Sequence, residues 1–183
     1  MQVEIDFSYL DILTSILSRV HFANVNLGKY IKCAVAGGAI RDMLLQKPVS
    51  DIDVFYEGDL SYNRIKQDFK NVKESDTTYP DGFNVTHQVF HEKIPVPIQL
   101  IQVKNIEEHI KTFPCEFSRV GYDMDKGLFG ISSDFVYSVE KKEFMWDSKV
   151  DCYYFDKIKE KYSDWKHVFL TETDNPYHEE ELF

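Results

Sequence analysis

The short apolar run Cys33-Ala34-Val35-Ala36 ends on the pair Gly37-Gly38, and a helical pattern starts at once and continues to Gln46. Pro48 follows, and the residue before a proline is pushed out of helical conformation, so the helix must stop there. A second strand-like run, Asp51 to Tyr56, comes next, with carboxylates at alternate positions, Asp51 and Asp53. This strand–glycine–helix–strand unit is the strongest constraint in the chain. The helix is short, so the two strands are neighbours in one sheet, and the glycine turn and the acid pair lie at the same end of them.

Each half of the unit has its own chemistry. Glycine carries no Cβ, so the backbone of Gly37 and Gly38 allows an anion to approach closely. The free amides and positive end of the following helix favour a phosphate at that point. Arg41 lies one turn into the helix, where a guanidinium reaches a phosphate oxygen or, alternatively, pairs with Asp42 and orients the helix. On a strand, alternate side chains share a face. Asp51 and Asp53 therefore project together, about 6–7 Å apart along the strand, while Ile52 and Val54 face the core. Two such carboxylates repel each other unless a cation lies between them, and magnesium is the hard, oxygen-liking cation that also accepts phosphate ligands.

The remaining pattern describes a mixed protein. Asp6 to Arg19 has helical spacing, with Asp6 or Ser8 as its cap. Helices are expected over Ser61–Phe69 and Asn105–Phe113, the latter capped by Asn105, and over Ser133–Lys141 and Phe155–Trp165. Strands are expected over Asn84–Glu92 and Val96–Lys104, with shorter pieces around Glu116–Tyr122 and Leu128–Ile131. Lys73 to Gly82 reads as a polar loop. The expected architecture is α/β (α+β), a small mixed or antiparallel sheet flanked by helices. No glycine- or serine-rich linker divides the chain, so residues 1–113 are taken as a catalytic unit and 114–183 as an extension packed on it.

Composition narrows the function. A net charge of −10 and a pI near 5.0 are unlike a general nucleic-acid binder, which carries a basic face. Part of that acid lies in Glu179-Glu180-Glu181, read as a solvated tail. The three cysteines, Cys33, Cys115 and Cys152, form no C-x-x-C and imply neither a disulfide framework nor a zinc knuckle. With no apolar stretch near the ~18 residues of a membrane span, and no basic-then-apolar leader, a reduced cytoplasmic protein is expected.

From Val35 to Phe55 the motif Gly37-Gly38-Ala39-Ile40-Arg41-Asp42-Met43-Leu44-Leu45 with Asp51-Ile52-Asp53 resembles the head-domain signature of the polymerase-β-type nucleotidyltransferase superfamily. More narrowly it is similar to the class II branch, the tRNA CCA-adding enzymes and bacterial poly(A) polymerases, which also has small stand-alone, including viral, relatives; for a viral member the location would be the host cytoplasm. The resemblance implies a nucleotidyltransferase fold. It further implies that Asp51 and Asp53 bind two Mg²⁺ ions, and that Gly37, Gly38 and Arg41 contact the triphosphate of an NTP (ATP among them). The implied reaction is in-line attack of a hydroxyl on the α-phosphate with loss of pyrophosphate. An RNA 3′ end, a protein or a small molecule would be the acceptor, and self-association or a protein partner would suit a small, aromatic-rich domain.

Three departures stand beside the resemblance. The third acid of the family has Gln99 at the matching position, which leaves Glu92 as a substitute ligand or the site without turnover. The chain after Lys104 is too short for the neck, body and tail of a CCA-adding enzyme. The acidic balance disfavours unaided tRNA binding. The alternative to an active nucleotidyltransferase is therefore a binding or regulatory module that keeps the fold. His87 and His91 could be metal ligands or polar residues of an edge strand. Lys104, Arg119 and Lys126, and the cluster Lys157, Lys159, Lys161 and Lys166, read as site-lining or as solvated charge.

Overall fold

A computed structural model describes residues 7–24, 29–75, 85–147 and 149–171. The expected cap Asp6, the loop residues Pro80 to Gly82, His178 and the acidic tail lie outside the described residues. Helix α1 (Phe7–His21), which already includes the other expected cap, Ser8, leads into strand β1 (Lys32–Ala36), helix α2 (Gly38–Leu44) and strand β2 (Ile52–Glu57). Helix α3 (Tyr62–Asp68), strands β3 (Lys70–Glu74), β4 (Val85–Phe90) and β5 (Ile98–Gln102) and helix α4 (Ile106–Lys111) follow. A 3-10 turn over Glu116–Ser118 precedes β6 (Gly121–Asp123) and β7 (Gly127–Phe129). Helix α5 (Ser133–Lys141), strand β8 (Glu143–Trp146), helix α6 (Cys152–Lys161) and strand β9 (Lys166–Phe169) complete the described chain.

Seven strands form one sheet in the order β3-β4-β5-β2-β1-β6-β7. Strands β2 and β5 run parallel and every other pair in it is antiparallel. Strands β6 and β7, beyond residue 113, thus extend the same sheet as the glycine–aspartate unit. A separate parallel pair, β8 and β9, packs against the C-terminal helices.

The sheet has two unlike faces. Ile52, Val54 and Tyr56 from β2 and Cys33 and Val35 from β1 join Leu13, Ile16, Leu17 and Val20 of α1 and Ile40 and Leu44 of α2 in the larger core. On the other face Ala34, Ala36, Phe55 and Ile101 pack with Ile106 and Ile110 of α4 and with Phe113. The aromatic richness of the chain is spent mainly on the first core. Phe117, Phe144, Trp146, Phe155 and Tyr162 stack there around the C-terminal elements, each burying about 150–250 Å².

Three expectations change. Lys70–Glu74 is a strand, so the polar loop begins later than Lys73: β3 is an exposed edge whose polar residues pair with β4 without needing an apolar face. Residues 116–118 form a 3-10 turn rather than a strand. The pair β8 and β9 went unforeseen because four-residue strands leave little periodicity to read. Since β3 takes the edge, His91 on the neighbouring β4 side is buried, with its Nε2 3.2 Å from Ser15 Oγ. His87 stacks on Tyr62 instead of ligating.

Candidate active site

The antiparallel register of β1 and β2 pairs Ala34 with Phe55 and Val35 with Val54, which brings Ala36 beside Asp53. The glycine turn therefore begins next to the acid pair, on the adjacent strand. Gly37 sits at φ 82° and ψ −137°, a region that L side chains rarely adopt, and an added Cβ would lie 3.3 Å from the Phe113 ring. Its own N–H donates to Val120 O at 3.0 Å, which ties the turn to β6. The amides of Gly38, Ala39 and Ile40 open α2, where a helix offers no internal acceptor.

Gln99 is in direct register with Asp53 across the parallel β2–β5 pair, and Gln88 lies beside Gln99 on β4. The four side chains Ala36, Asp53, Gln99 and Gln88 thus cross the sheet in one row, on the face that α4 covers further along. The amide of Gln99 takes the place next to the acid that a third carboxylate would occupy.

Asp53 Oδ1 is buried and has no hydrogen-bond partner among the described residues. Asp51 beside it accepts a hydrogen bond from Ser50 Oγ at 3.0 Å. Burial first, and then the negative charge of Asp51, push the Asp53 carboxyl up to about 7, while the ammonium of Lys157 works in the opposite direction. A buried carboxylate oxygen without a donor is costly, and a cation is the group that relieves it. Among the described residues no group of three or more His, Cys, Asp and Glu gathers to hold a metal. The acid pair fits magnesium in its usual nucleotide role, in which one or two carboxylates share the ion with substrate phosphates and water.

Other expected residues take different places. Arg41 is 3% exposed and points inward: its guanidinium lies 2.7 Å from Asp42 and donates to Ser118 Oγ and Tyr154 OH, each at 3.3 Å. Asp42 also accepts from Tyr162 OH at 2.6 Å and pairs with Lys161. The helix-orienting ion pair is therefore what the structure contains, and the guanidinium supports the glycine turn from beneath, 3.4 Å from where a Gly38 Cβ would stand. Glu92 is not a third ligand. It is clamped by Arg19 at 2.5 and 2.9 Å beside α1, on the opposite face of the sheet from Asp53. Arg119 is held by Asp147 at 2.6 and 2.7 Å, and Lys126 by Glu107 at 2.5 Å, away from the acids.

Lys157 is the residue that sequence reading did not single out from its cluster. It lies 104 positions beyond Asp53, and its one legible trace was membership of the basic C-terminal helix.

Residues 8–142 match the model of a family described as Gad2, Gabija anti-defense 2 family protein, well over half of the chain. No curated protein matches in sequence. In fold the chain is similar to a CCA-adding enzyme in apo form, with a TM-score of 0.62 at 14% identity, covering 96% of this chain and 44% of that one. It is similar to a CCA-adding enzyme in complex with CTP, with a TM-score of 0.56 at 15% identity over 80% of this chain and 38% of the other. A Thermotoga maritima CCA-adding enzyme complexed with tRNA_CCA gives 0.53 at 17% identity, over 76% and 33%. The chain spans less than half the length of these enzymes, and the likeness establishes the nucleotidyltransferase fold.

Proposed function

The chain belongs to the Gabija anti-defense 2 family, and from its nucleotidyltransferase fold and the geometry of its acid pair we propose that it is a metal-dependent nucleotidyltransferase. In this reading Asp51 and Asp53 hold magnesium together with an NTP, and the amides that open α2, at the Gly37-Gly38 turn, receive the polyphosphate. The single observation that carries it is the buried, unpartnered Oδ1 of Asp53, set beside Asp51 and the glycine turn. When bound, the metal supplies charge neutralisation at the phosphates and lowers the barrier to attack by a hydroxyl.

The chain's own residues do the positioning. Gly37 keeps its turn free of a side chain, the Arg41–Asp42 pair holds α2 at its angle, and Asp53 keeps an oxygen aimed at the row it shares with Gln99. The acceptor hydroxyl belongs to RNA, a protein or a small molecule, and the family's description directs the search to components of the Gabija defence. A second reading, a nucleotide-binding module without turnover, is favoured by Gln99, which has the size of the third acid but not its charge.

Incubation with labelled NTPs and Mg²⁺, with and without RNA, tests the proposal through pyrophosphate release. Asp51→Asn is expected to lower the rate about a hundredfold, the equivalent of ~3 kcal/mol of transition-state stabilisation. Full activity in that variant would overturn the assignment. Binding without release in the parent chain would select the second reading, and a gain of turnover in Gln99→Glu would then identify the missing carboxylate as the reason.

A further inference from the structure

The extension reaches back to the acid pair through α6. Tyr154, Lys157 and Lys161 are spaced three and four residues apart, so they line one side of that helix. The two outer members are anchored at the base of α2. Tyr154 OH meets Ser118 Oγ at 3.2 Å and accepts from Arg41 at 3.3 Å. Lys161 pairs with Asp42 and donates to Pro48 O at 2.8 Å, on the segment that leads into Asp51. Lys157 lies between these anchors. Its charge acts on Asp53, yet among the described residues it forms no ion pair or hydrogen bond. Its neighbours in the cluster are placed otherwise: Lys159 lies over the Phe155 ring and Lys166 reaches Glu143 at 3.5 Å.

An exposed ammonium held over two carboxylates without closing on them leaves a gap bordered by acid on one side and base on the other. A metal-bound polyphosphate has the matching character, since its cations face the carboxylates and its outer oxygens face the lysine. Resting on the nucleotide site described above, we propose that Lys157 is a substrate-binding residue, contacting the polyphosphate of the nucleotide from the C-terminal extension and so making that extension part of the site.

Calorimetric titration of the full chain with ATP and Mg²⁺ tests this, using the parent, Lys157→Ala, Lys157→Arg and Lys159→Ala, with thermal melts of each. Lys157→Ala is expected to bind about tenfold more weakly, the loss of one charge-assisted contact. Lys157→Arg should regain most of the affinity, and Lys159→Ala should match the parent. Equal affinity in Lys157→Ala and the parent would overturn the role of the lysine while leaving the nucleotide site standing. Equal weakening in both alanine variants would reduce the effect to general charge and overturn it too, as would a fall in melting temperature that arginine fails to repair. Absence of binding in the parent would instead remove the nucleotide site itself.

Discussion

Replacing Asp53 by asparagine should make the metal-free protein more stable. The side chain keeps its size and loses a charge that the fold leaves buried beside Asp51. An unfolded aspartate titrates near 4, whereas burial and Asp51 push the folded carboxyl up to about 7. Between these values the native state binds the extra proton, so stability falls as pH rises through the window, and the cost is complete above about pH 7. At 1.36 kcal/mol per pH unit the ceiling is about 4 kcal/mol. The partial exposure of the Asp53 side chain reduces this to about 2 kcal/mol. For a chain of this size that corresponds to a rise of about 4–8 °C in melting temperature at pH 8 in EDTA. The gain should shrink to nothing near pH 4, where both forms are neutral. With Mg²⁺ and ATP present the order should reverse, because ligand at a hundred times its dissociation constant stabilises the parent by about 2.7 kcal/mol and the variant cannot hold the metal. An Asp53→Asn variant that melts at or below the parent at pH 8, or whose advantage is the same at pH 4.5, would refute the reasoning.

Two further outcomes follow from the scaffold. Arg41→Met should destabilise the fold by about 3 kcal/mol in urea unfolding with an unchanged slope, since it strips a buried partner from Asp42 and leaves Ser118 and Tyr154 without their donor. Gly37→Ala should cost about 1–3 kcal/mol, measured the same way, because its φ of 82° strains any side chain and the new methyl meets Phe113; nucleotide affinity measured below the unfolding transition should fall with it.

How far the site could be read in advance depended on chain distance. The alternation of Asp51 and Asp53 against Ile52 and Val54 is a two-residue period, and the structure keeps it, with Ile52 and Val54 buried on the α1 side. Asn105 caps α4 as its side chain chemistry requires, accepting from the Glu108 amide at 3.0 Å. The destination of Arg41 was not legible, because Tyr154 and Tyr162, which help decide it, arrive more than a hundred residues later. The same holds for Glu92, whose face of the sheet was set by a bulge in β4 and by Arg19 on α1.

The sequence by itself determined the local devices: a glycine corner between strand and helix, two acids on one face, and the helix and strand periods that place them. These depend on backbone preferences and on neighbours within a few residues. Only the tertiary structure decided that Gln99 stands in register with Asp53, that one oxygen of that acid is sealed from water without a donor, and that α6 brings Lys157 over the pair. Strand pairing and helix packing join residues through core burial, which is indifferent to their separation along the chain, and so the electrostatics of the site could be known only once the core had formed.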